Sequence, residues 1–346
     1  MANKILVVFT GGTIGSTADN GIVDVSGGMK YKLIDLFYRQ SDFDVQFDAV
    51  QPINMLSENF SPDTWTVLAN CLAEYDLSCY KGVIITHGSD TLPYTAAVFS
   101  YILKNIALPV VFVAANKSID HPYSNGVQNF TDAVRFILTS GLCGVYSIYM
   151  DDSGNRNVYY GTRMHEADTH YDRFSSYAGV DFGKMVGENF VYNSNPLNPK
   201  PDEIIAAGTL LAVTPIKFNA DILCIRPYPG LRYDVYDLKK ISRSAAVLHG
   251  LYHSSTACTA DENRSAVNFI KRCTAEGIDV YLYDCKHFSD DSVYRSADYI
   301  KSIEANCLSG ISFEAAAAKL YVAYSQSDMP PREYMNTNIN FEFVNA

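Results

Sequence analysis

The sequence predicts an α/β protein of two domains, the larger one N-terminal and built on a parallel sheet, the smaller one C-terminal and also α/β. Three observations carry this. Short continuously apolar runs recur along the chain, helix-like patterns separate them, and an asparagine- and proline-rich stretch interrupts the alternation near the middle. In chain order, runs typical of buried parallel strands lie at Lys4–Thr10, Gly82–Thr86, Pro109–Ala114 and Val145–Met150. Helical patterns fall between them, at Pro62–Glu74, Thr91–Lys104 and Asn129–Thr139. Ser61 before Pro62 supplies a cap residue followed by proline at the first helical position, a good start signal.

From Tyr192 to Glu203 the composition shifts to Asn, Ser and Pro, which reads as an extended linker. The expected division is therefore 1–191 for the first domain, 192–208 for the linker and 209–346 for the second domain. Apolar runs in the second half lie at Thr209–Thr214, Ala220–Arg226, Ala245–Leu251 and Asp279–Cys285. Helices are expected near Asp261–Glu276 and after Ser312. No internal repeat or low-complexity tract is present.

Composition narrows the function classes. The chain has 346 residues, 48% hydrophobic and 19% charged, enough for one large or two medium globular domains. Its formal net charge is -11 and its sequence pI about 5.0, so phosphate backbones are repelled and nucleic acid is not an expected partner. The first apolar run, Ile5 to Phe9, is too short for a signal peptide, and no stretch approaches the ~20 apolar residues of a membrane helix. A cytoplasmic protein with no membrane partner is expected. The 8 cysteines are dispersed without CxxC or metal spacing, which suits reduced, buried thiols and no metal. Cys285 stands apart because it ends an expected strand.

In open α/β sheets, ligands bind beyond the carboxyl ends of the strands. The loop after the first strand reads Thr10-Gly11-Gly12-Thr13-Ile14-Gly15-Ser16, with glycines for sharp turns and two flanking hydroxyls. Such a loop can cradle an anion or build an oxyanion hole. It is neither GxGxxG nor a Walker loop, so nucleotide binding is not expected. After the second run, His87-Gly88-Ser89-Asp90-Thr91 packs an imidazole, two hydroxyls and a carboxylate before a helix. A plain helix cap is the simpler reading of that loop alone. A third segment runs from Ala114 through Asn116, Lys117 and Ser124-Asn125-Gly126 to Asn129, and reads as a solvated loop when taken alone. The fourth, Leu56-Ser57-Glu58-Asn59, precedes the Ser61 cap.

Together these segments resemble the bacterial-type L-asparaginase/glutaminase family. The family's two threonine-bearing signatures, TGGTI and HGTDT, stand here as Thr10–Ile14 and His87-Gly88-Ser89-Asp90-Thr91, in order and at a similar spacing. The likeness continues through Ser124–Gly126, Asn129, the proline-rich stretch and Tyr228-Pro229-Gly230, nearly the whole chain. The form of Ser57–Trp65 is most similar to the cytoplasmic type I branch. The resemblance implies a flavodoxin-like larger domain and an amidohydrolase that converts L-asparagine to L-aspartate and ammonia, with L-glutamine as the second candidate substrate. It implies Thr13 as the nucleophile that forms an acyl-enzyme ester, with Ser89 and Asp90 as catalytic partners. Gly12, Ser57, Glu58, Gly88, Ser89, Asp90 and Asn116 are then expected around the substrate. An amino-acid zwitterion needs both kinds of complement: Asp90 and Glu58 for the ammonium, Ser57 and loop N–H groups for the carboxylate. No cofactor or metal is implied, and a homodimer or homotetramer is.

Two positions depart from the family. Within Tyr159–Asp168, Glu166 stands where the family carries its catalytic lysine, which reverses the charge. Ile22 stands where the family carries a mobile tyrosine. These departures motivate an alternative, an asparaginase-like protein that binds an acidic amino acid with weak or no turnover. A third reading, the asparaginase-like component of a glutamyl-tRNA amidotransferase, is disfavoured at this point by the acidic charge and by a first signature that begins at Thr10.

Overall fold

The computed structural model describes residues 3–12, 14, 16–19, 22–25, 29–241, 243–286, 294–303 and 305–344, with backbone alone for 16–19, 22–25 and 29–31. Residues 1–217 and 218–346 form two compact units. In the first unit the chain runs β1 (Lys4–Val8), the hairpin β2 (Ser16–Asp19) and β3 (Ile22–Val25), then α1 (Met29–Gln40) and β4 (Gln46–Val50). It continues through α2 (Pro62–Ala73), β5 (Gly82–Thr86), α3 (Leu92–Ile102), β6 (Pro109–Val113), α4 (Gly126–Thr139) and β7 (Gly144–Met150). Five shorter strands follow, β8 (Arg156–Tyr160), β9 (Met164–Asp168), β10 (Arg173–Ser176), β11 (Gly183–Val186) and β12 (Asn189–Tyr192), and then α5 (Pro201–Ala207).

The main sheet has the order β12-β11-β8-β7-β6-β5-β1-β4. The run β4-β1-β5-β6-β7 is parallel, and β8, β11 and β12 extend it antiparallel. The chain leaves β1 for β4 on one side and returns to β5 on the other. That reversal is a topological switch point, so a crevice opens beyond the carboxyl ends of β1 and β5. β5 and β6 are buried at every residue, as their uninterrupted apolar runs require. α2 begins as expected: Pro62 takes the first turn and the Ser61 N–H donates to Thr64 Oγ1 at 3.2 Å. Trp65 Nε1 donates to Thr95 Oγ1 at 3.0 Å and ties α2 to α3.

The stretch 192–208, read as a linker, lies within the first unit and carries α5. Asn198 is buried there and donates to the Asp181 and Asn193 carbonyls. The run Thr209–Thr214 is not a strand. It makes one bridge, Leu210 to Ile106, and Leu210 and Leu211 are exposed. Apolar character alone does not create a ladder where no neighbouring strand offers a paired edge.

The second unit contains β13 (Ile222–Ile225), α6 (Leu238–Ile241), β14 (Ala246–Gly250), α7 (Ala266–Ala275), β15 (Asp279–Tyr283), α8 (Arg295–Lys301), β16 (Asn306–Cys307), α9 (Phe313–Gln326) and α10 (Pro331–Asn336). Its sheet, β13-β14-β15-β16, is parallel throughout. Leu282, Val247, Phe269 and Ile270 lie in its apolar core. The α/β class, with a larger parallel-dominated sheet and a smaller parallel one, is as the sequence predicts. All cysteines are free thiols, but Cys79, Cys224, Cys258 and Cys307 are exposed rather than buried. Among the described residues no helix is long and apolar enough to cross a membrane.

Candidate functional site

Three loops interlock beyond β1 and β5. Gly11 and Gly12 have φ of +97° and +68°, a region only glycine enters freely. The Gly12 N–H donates to the Met55 carbonyl at 3.0 Å, and the Met55 N–H donates to the Thr10 carbonyl at 3.0 Å. The first loop is thereby stitched to the segment that carries Ser57. Thr10 Oγ1 donates to the Thr86 carbonyl at 2.7 Å, which holds the ends of β1 and β5 together. A Cβ on Gly12 would lie 2.6 Å from the Gly88 nitrogen and 2.8 Å from its Cα, so the first and second loops meet backbone to backbone. A Cβ on Gly88 would strike the Ser57 side chain. Thr91 stands at the cap position of α3 but makes no side-chain cap bond; its hydroxyl donates to the Ser57 carbonyl at 2.8 Å.

A cavity of about 950 Å³ opens over this junction. Of the residues expected around a substrate, Gly12, Ser57, Glu58, Gly88, Ser89, Asp90 and Asn116 all line it. Thr13 and Gly15 lie outside the described residues, as do Asn20 and Gly21, and the side chain of Ile22 is not described. Glu166 is exposed on β9, accepts a hydrogen bond from Tyr94 Oη of α3 at 2.5 Å, and is not among the described residues that line the cavity.

The lining is acidic on balance, with Glu58, Asp90 and Asp120 against Lys117. Burial, and then the negative charge of Glu58, raise the Asp90 pKa above the ordinary carboxylate value. Two carboxylates that repel each other beside a cavity suit an ammonium group between them. Asn116 lines the cavity but its side chain is already engaged. Its Oδ1 accepts the Asn125 N–H at 3.1 Å, while its own N–H donates to Asn125 Oδ1 at 2.8 Å.

His87 takes no part in the lining. Its ring is fully buried against Phe60 and Phe112, and Nδ1 lies 2.7 Å from the Gly88 carbonyl oxygen. Burial pushes its pKa down to about 4, so the imidazole is neutral and props the loop from beneath. Sequence reasoning missed Lys117, Ser118, Asp120, His121 and Pro122 as lining residues. They belong to the segment after β6, which reads as a solvated loop, and its place at the same sheet edge was the available signal. Asp120 is ion-paired with Lys32, and Lys117 lies over the Tyr123 ring. Among the described residues no group of three or more His, Cys, Asp and Glu side chains is placed to hold a metal.

The comparisons with known proteins bear on this site. A family model described as "Asparaginase, N-terminal" matches residues 4–198, which includes all three loops. L-asparaginase 1 of Escherichia coli K12 is 27% identical over 238 residues, covering 67% of this chain and 65% of that protein. The D component of the glutamyl-tRNA(Gln) amidotransferase of Haloquadratum walsbyi is 27% identical over 251 residues, 66% of this chain and 51% of that protein. The match thus spans about half the length of that relative. Among solved structures, the thermostable L-asparaginase of Thermococcus kodakarensis superposes with a TM-score of 0.76 at 23% identity, covering 99% of this chain and 100% of that one. L-asparaginase I of Vibrio cholerae gives a TM-score of 0.76 at 23% identity over 100% of both chains. These two share its fold. With more than half of its length matched by one family model, and the matched part carrying the interlocked loops, the chain belongs to the asparaginase family.

Proposed function

We propose that this chain is an amidohydrolase that converts L-asparagine to L-aspartate and ammonia. The observation that carries the reading is the convergence of Gly12, Ser57, Gly88, Ser89 and Asp90 on one cavity, with Thr13 next in sequence to Gly12. Asp90 and Glu58 hold the substrate ammonium, and Ser57 with loop N–H groups holds its carboxylate. Thr13 Oγ1 attacks the side-chain amide carbon. The Gly12 N–H is committed to Met55, so the oxyanion draws its donors from other loop amides. Ammonia leaves, and water hydrolyses the ester to free the threonine. Glu166 stands at the aligned position of the family's lysine, without its positive charge; its bond to Tyr94 and its absence from the described cavity lining leave the proton acceptor for Thr13 to a different group. The working form is a homodimer or homotetramer in the cytoplasm. Release of ammonia from L-asparagine by purified protein tests the reading, with L-glutamine as the second substrate. Release no greater than that of a Thr13→Ala variant refutes it.

A second reading has its own observation. Glu166 is anchored to Tyr94, and the lysine that does line the cavity, Lys117, belongs to a different loop. On that reading the chain binds an acidic amino acid with little or no turnover. Calorimetry that finds L-aspartate bound, bound less well by Asp90→Ala, and no ammonia released supports it. Ammonia release far above that of Thr13→Ala dismisses it.

A further inference from the structure

We propose that Cys285 and Cys307, in the second unit, form a redox-active dithiol that takes a low-molecular-weight disulfide and closes to an intramolecular disulfide. The geometry comes from parallel pairing. Leu282 of β15 stands opposite Cys307 of β16 in register. The Leu308 N–H donates to the Leu282 carbonyl at 2.7 Å, and the Cys285 N–H donates to the Leu308 carbonyl at 3.2 Å. Between them Asp284 has φ of 65°, and this turn brings the end of β15 back over β16. Ser255 clamps it: its hydroxyl donates to the Asp284 carbonyl at 2.9 Å and accepts the Lys286 N–H at 2.7 Å. The Cys285 thiol donates to the Leu282 carbonyl at 3.5 Å, and both cysteines line one pocket. That pocket, of about 230 Å³, includes Lys286 and Lys301 in its lining, which suits one anionic end of a small disulfide such as oxidised glutathione, the rest of which stays outside.

The pair is asymmetric, as dithiol chemistry requires. Cys307 is exposed and Cys285 buried. The Cys285 thiol and the Lys301 ammonium lower the Cys307 pKa, whereas the contact with Cys307, reinforced by burial, holds the Cys285 proton on. The exposed sulfur therefore attacks first and the buried one resolves. Cys307 Sγ, as thiolate, bonds to one sulfur of the small disulfide, whose S–S bond breaks and releases one thiolate that takes up a proton. Cys285 then loses its proton and attacks Cys307 Sγ. The Cys285–Cys307 bond forms, and the second small thiolate leaves and is protonated. Two cysteine sulfurs are oxidised and one small disulfide is reduced to two thiols.

The test uses the full chain in buffers of varied oxidised-to-reduced glutathione ratio, with thiol counting and peptide mapping and no reference to activity. The expected result is loss of two of the 8 thiols, recovery of one peptide pair linked through 285 and 307, and reversal by dithiothreitol. Cys285→Ser is expected to stop at glutathione on Cys307, and Cys307→Ser to leave Cys285 unmodified. All 8 thiols surviving oxidation, a link between other cysteines, or stable glutathione on wild-type Cys307 would each overturn the proposal.

Discussion

Gly12→Ala probes the contact on which the candidate site depends. Gly12 and Gly141 share the same φ, +68°, but a Cβ at Gly141 meets nothing within 4 Å, whereas one at Gly12 lands 2.6 Å from the Gly88 nitrogen and 2.9 Å from the His87 carbonyl carbon. Both substitutions impose left-handed strain of about 1–2 kcal/mol. Only Gly12→Ala adds a backbone overlap, and overpacking of that kind costs about 1–3 kcal/mol further. The overlap is relieved by moving the first and second loops apart by a fraction of an ångström, which enlarges the cavity where position matters most. Thermal unfolding of both variants gives the stability difference, and calorimetry with L-aspartate reports the cavity. Gly12→Ala is expected to unfold at a clearly lower temperature than Gly141→Ala and to lose affinity, with Gly141→Ala near wild type in binding. Equal midpoints for the two variants refute the backbone-to-backbone packing of the loops.

Three further outcomes concern ionisable side chains. His87, held neutral down to about pH 4 by burial, protonates more readily in the unfolded chain, so stability is fully present above the unfolded value and is lost as pH falls from ~6.5 to 4. The contribution lost is roughly 3 kcal/mol, and thermal midpoints measured across that window should fall less steeply in a His87→Gln variant than in the wild type. Removing the Glu58 charge by Glu58→Gln should lower the raised Asp90 pKa and move the acid limb of aspartate binding to lower pH; a limb that stays in place means the two carboxylates do not interact. Lys319, fully buried, donates to Glu342 Oε1 at 2.5 Å and to the Met335 and Thr337 carbonyls at 3.1 and 2.6 Å. Lys319→Met strands the Glu342 carboxylate and should destabilise the second unit by about 3–5 kcal/mol, with Lys319→Met/Glu342→Leu recovering much of the loss in denaturant titrations.

The parts of the fold that could be read in advance were those where one physical cause dominates. β1, β5, β6 and β7 announce themselves because strands covered on both faces must be apolar at nearly every position. β4 escaped, since as an edge strand it is only partly buried and its sequence, Gln-Phe-Asp-Ala-Val, carries no continuous run. β9 and β12 alternate between partly buried and exposed positions over a few residues, too short a pattern to recognise. Thr209–Thr214 was the converse case, an apolar run left without a ladder.

By itself, the sequence determined the α/β class, the loops that bear Gly12, Ser57 and Asp90, and the family they belong to, because backbone turns and reactive groups leave local signatures. Only the tertiary structure decided that a Cβ at Gly12 has no room against Gly88, and that His87 turns into the core. It also decided that Lys117 and Asp120 join the cavity while Glu166 bonds to Tyr94 and is not among the described lining residues. The reason is that strand order at the switch point sets which loops meet, and the pairings that create it join residues far apart in the chain, where local sequence carries no record of the encounter.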